Sequence, residues 1–66
     1  MKVGDLVIDT YDGIVGIITR EPYCYGNDPL NKIKGEPNVV DILWSVNDQP
    51  VAMHLAAFHN GVKIIS

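Results

Sequence analysis

The sequence predicts an all-β fold in which five short strands wrap into a small, partly open barrel. Three observations predict it. β-Branched and other apolar residues come in short runs, with turn-forming pairs such as Asp12-Gly13 and Asn60-Gly61 between them. The spacing within the runs is that of strands, and no segment holds a helical period for much more than one turn. The 66 residues leave room for a single core, so residues 1–66 are read as one domain.

The first strand takes Val3 and Leu6-Val7-Ile8, and the second takes Ile14-Val15 and Ile17-Ile18-Thr19, ending near Arg20. Between them Asp12-Gly13 supplies the positive φ angles of a tight hairpin, which makes the two strands antiparallel neighbours. Pro22 fixes its own φ and pushes Glu21 toward an extended conformation. From Glu21 to Pro37 the sequence EPYCYGNDPLNKIKGEP reads as one long loop, of a length that is uncommon in compact domains and often functional. The third strand is Val39 to Val46, with Val40, Ile42 and Trp44 on one face and Asp41, Leu43 and Ser45 on the other. Asn47-Asp48-Gln49 makes a turn, and Pro50 precedes a fourth strand from Val51 to Leu55. Leu55-Ala56-Ala57-Phe58 tolerates a helix but is too short to stabilise one alone, so a single 3₁₀ turn is expected. Asn60-Gly61 then leads into the last strand, Val62 to Ile65.

Composition narrows the function. Five basic against eight acidic side chains give a net charge of −3, the wrong sign for gripping a phosphate backbone. The apolar share of 47% is too rich for a disordered chain. No apolar run approaches the roughly 18 residues that span a bilayer, so no membrane contact is expected. A single cysteine excludes an internal disulfide framework and makes a cytoplasmic setting the expected one.

The opening Val3-Gly4-Asp5-Leu6-Val7, followed by Asp12-Gly13-Ile14-Val15-Gly16-Ile17-Ile18, resembles the start of KOW-type and related SH3-like barrels. Asp41-Ile42-Leu43-Trp44-Ser45-Val46-Asn47-Asp48 is similar to their third strand and turn. The resemblance covers most of the chain outside Glu21 to Pro37, and it implies a five-stranded SH3-like, partly open barrel. The GDLV and ILWS pieces also resemble small proteins encoded by bacteriophages, which would put the chain in the host cytoplasm or a virion. KOW domains that bind RNA carry basic residues on their exposed strands, whereas this chain has Ile8, Asp9, Asp12 and Ile14 at such places. Nucleic-acid binding therefore does not carry over, and a KOW-type nucleic-acid-binding barrel is kept as the alternative.

Three sets of residues are candidates for chemistry or contact. Tyr23 and Tyr25, beside Pro22, could form with Trp44 a groove for an extended or proline-rich peptide, or could simply cover the open end of the barrel. Cys24, His54 and His59 lack the paired spacing of a four-ligand zinc site, and no third group orients a Cys–His nucleophile. Asp5, Asp9, Asp12 and Asp28 sit mostly in turns, where aspartate bonds to its own backbone. No enzyme, metal or cofactor is expected.

A fourth set is a surplus of aliphatics. Strand two carries Ile14 and Ile18 on one face and Val15 and Ile17 on the other, and one barrel interior cannot take both. Some of Ile8, Ile14, Leu43 and Ile65 are expected outside, as an oligomer interface. The function expected is a non-catalytic module acting through protein–protein contacts, self-associating as an accessory or assembly protein. A long loop folded back over this face would be the purely structural alternative.

Overall fold

A computed structural model describes residues 1–25 and 37–65. The elements are β1 (Leu6–Asp9), β2 (Val15–Tyr23), β3 (Val39–Trp44), β4 (Val51–His54), α1 (Leu55–Gly61) and β5 (Val62–Ile64). All strand pairings are antiparallel, in one five-stranded sheet of order β4-β3-β2-β1-β5. β4 and β5 remain the two edges, so the architecture is all-β and partly open, not a closed barrel.

The hairpin between β1 and β2 forms where Asp12-Gly13 places it. Gly13 has φ +77°, and its N–H donates to the Asp9 carbonyl at 2.8 Å while Asp9 N–H donates to Ile14 O at 2.8 Å. The carboxylates lock the turn: Asp9 accepts from Tyr11 N–H at 2.9 Å and Asp12 from Ile14 N–H at 3.0 Å. β1 begins later than Val3, because Lys2 to Asp5 is itself a turn with Gly4 at φ +93°.

β2 runs past Arg20 to Tyr23, through Pro22. Proline is tolerated there because the β2–β3 ladder shifts register twice, between Ile18 and Arg20 and again between Arg20 and Tyr23. A bulged stretch has positions that need no donated hydrogen bond. The expected loop therefore starts after β2, and most of it, residues 26–36, lies outside the described residues.

The helical turn before the last strand is longer than a single 3₁₀ turn. α1 is a seven-residue α-helix with no side-chain cap, and its buried side chain is Phe58. Packing overrides weak local propensity here. At its end Val62 N–H donates to Phe58 O, and Thr10 donates to Gly61 O through both its N–H and its hydroxyl, each at 2.8 Å.

Among the described residues the core holds a cluster of Val7, Ile18, Val40, Ile42, Phe58 and Val62, with Trp44, Met53 and Leu55 packed against it, and Val39 is buried as well. The sheet's inner face thus takes Val7 from β1, Ile18 from β2, and Val40 and Ile42 from β3, as their alternation requires. Gly16, opposite Val7 and Trp44 in the ladders, is what lets Trp44 close over this face. A Cβ at Gly16 would stand 2.8 Å from Trp44 Cε3 and 2.9 Å from Ile42 Cγ2.

Candidate functional site: the outer face of β1–β3

Once Val7 and Ile18 face inward, the residues between them must face out. Leu6 of β1 pairs with Ile17 of β2, and Ile17 with Leu43 of β3. In the neighbouring row Ile8 pairs with Val15. These five aliphatic side chains form one continuous patch across three strands. Leu6, Val15 and Ile17 are 42%, 38% and 36% exposed, while Ile8 and Leu43 are half-buried. Four of them, Leu6, Val15, Ile17 and Leu43, line an open groove of about 420 Å³ together with Gly16, Trp44, Ser45 and Asn47. Apolar patches that span adjacent strands mark interaction surfaces more often than isolated exposed residues do.

At the hairpin end of the sheet lies a smaller pocket of about 140 Å³, lined by Asp9, Asp12, Ile14, Trp44, Val46 and Asn47, in which Asp9 has the inward parity of Val7 and pairs with the core residue Val62. It shares Trp44 and Asn47 with the groove. Further along β2 and β3 is a polar cluster. The Tyr23 hydroxyl donates to Asp41 Oδ1 at 2.7 Å, and the Arg20 guanidinium stacks 3.7 Å above the Tyr23 ring.

The hydrogen bond to Asp41 is the main cause that raises the Tyr23 pKa above the ordinary phenol value, with desolvation and the Asp41 charge adding to it. A raised folded pKa means that the folded state holds the phenol proton more tightly. The stability this adds is present below the ordinary value near 10 and is lost as pH rises through the raised one. In a Y11F/Y25F variant, where Tyr23 is the remaining tyrosine, tyrosinate absorbance should titrate above about pH 10. Adding D41A should bring the midpoint back down. A midpoint that ignores Asp41 would contradict the bond.

The interface residues expected from sequence are only partly brought together. Ile8 and Leu43 belong to the outer patch. Ile65 is 53% exposed and its N–H donates to Leu6 O at 2.8 Å, which places it beside that patch on the β5 side. Ile14 precedes β2, is half-buried and lines the smaller acidic pocket. Leu6, Val15 and Ile17 complete the patch. Sequence alternation paired Val15 with Ile17, but not which of the two β2 faces was outside. Gly16 was the available signal, since a glycine inside a strand marks a close approach that belongs with the tryptophan side.

The structure separates the three aromatics. Tyr23 pairs with Val39 at one end of β3 and Trp44 pairs with Gly16 at the other, five residues along, roughly 16 Å at strand rise. Tyr25 lies beyond β2, exposed, with its N–H donating to Asn38 Oδ1 at 2.7 Å. These residues do not share one groove. Cys24 is exposed just after β2, His54 ends β4, and His59 lies in α1 with its ring edge-on to Phe58. Among the described residues no three of His, Cys, Asp and Glu are grouped to hold a metal ion. Asp5 accepts from Lys2 N–H at 3.1 Å, in keeping with a turn role, and Asp28 lies outside the described residues. Among the described residues no helix is long and apolar enough to cross a membrane.

A scan against protein-family models finds no match to this chain, and searches of curated proteins and of solved structures find none either.

Proposed function

We propose that this chain is a non-catalytic module that acts through protein contacts, and that its contact surface is the outer face of β1–β3. The observation that carries the reading is the unbroken row Leu6–Ile17–Leu43 with Val15 exposed beside it. The occupant the reading prefers is a second copy of the chain, which makes the protein a self-associating accessory or assembly subunit. Small domains bury a small share of their surface on folding, and covering an apolar face by association adds stability that their own core cannot supply. The five strands and the helix before the last of them support the SH3-like reading of the architecture. The net charge of −3 and the carboxylates at the hairpin disfavour the nucleic-acid alternative.

The test is the absolute mass in solution, by size-exclusion chromatography with light scattering over a range of concentrations. The wild type should run as a stable multiple of 7.3 kDa. An I17E variant should run as a folded monomer, because a buried glutamate without a partner opposes association by several kcal/mol. A wild type that stays monomeric at every concentration sinks the reading.

A further inference from the structure

We draw no further inference here: the strongest candidate, the pocket at the hairpin end of the sheet where Asp9 and Asp12 lie with Trp44, is an acidic cluster whose carboxylates bond to the turn's own N–H groups, and nothing else among the described residues points to a ligand there.

Discussion

Replacing Phe58 by alanine is expected to leave most of the protein unfolded at 37 °C. Phe58 is 3% exposed and is the aromatic member of a cluster otherwise made of Val7, Ile18, Val40, Ile42 and Val62. Truncating a buried phenylalanine costs about 3–5 kcal/mol, from lost transfer energy and from the cavity left behind. A core in a domain of this size rarely supplies more than about 3–5 kcal/mol in total. The cost therefore matches the whole stability. The loss is also structural, because α1 has no side-chain cap and spans seven residues, so the buried ring is what holds it. Equilibrium urea unfolding followed by the single tryptophan would show it, with F58L as the milder control. A cooperative F58A transition within a few degrees of wild type in a thermal melt would mean that α1 is not anchored through Phe58.

Replacing Gly16 by alanine should have the next largest effect. The new Cβ would meet Trp44 Cε3 at 2.8 Å, Ile42 Cγ2 at 2.9 Å and the Leu43 carbonyl oxygen at 3.1 Å. Ile42 is fully buried and the Leu43 oxygen is backbone within the sheet, so neither can yield cheaply. Overpacking of this kind costs about 1–3 kcal/mol, which for a domain this small lowers the melting temperature by roughly 4–8 °C per kcal/mol. Trp44 should be pushed outward, and its fluorescence should shift to longer wavelength in the folded variant. Gly61 is the internal comparison. A Cβ there would come within 2.6 Å of the Tyr11 ring, but Tyr11 is 84% exposed and can swing into solvent. G61A should therefore cost much less than G16A. Equal losses would mean that space at Gly16 is not what the sheet requires.

Much of this fold can be read in the chain because its signals are local. Asp12-Gly13 marks the hairpin, although only Gly13 takes a positive φ there, and the Asp9 and Asp12 carboxylates bond to the turn's own N–H groups. Alternation in Val39–Trp44 sends Val40 and Ile42 inward and Asp41 and Leu43 outward, as a period of two must. Other features were illegible for a physical reason. The extension of β2 through Pro22 depends on bulges in pairing with β3, and the length of α1 depends on a pocket for Phe58 built by distant strands.

The candidate surface divides the same way. The sequence alone determined that the chain has more aliphatic residues than one small interior can hold, since β2 is apolar on both faces. It could not determine which of them face out. That choice rests on the register of β1 and β3 against β2, which the tertiary structure set by placing Gly16 between Val7 and Trp44. With the glycine on the inside, Leu6, Val15 and Ile17 were committed to the outside, because a strand has two faces and a shift of one residue exchanges them.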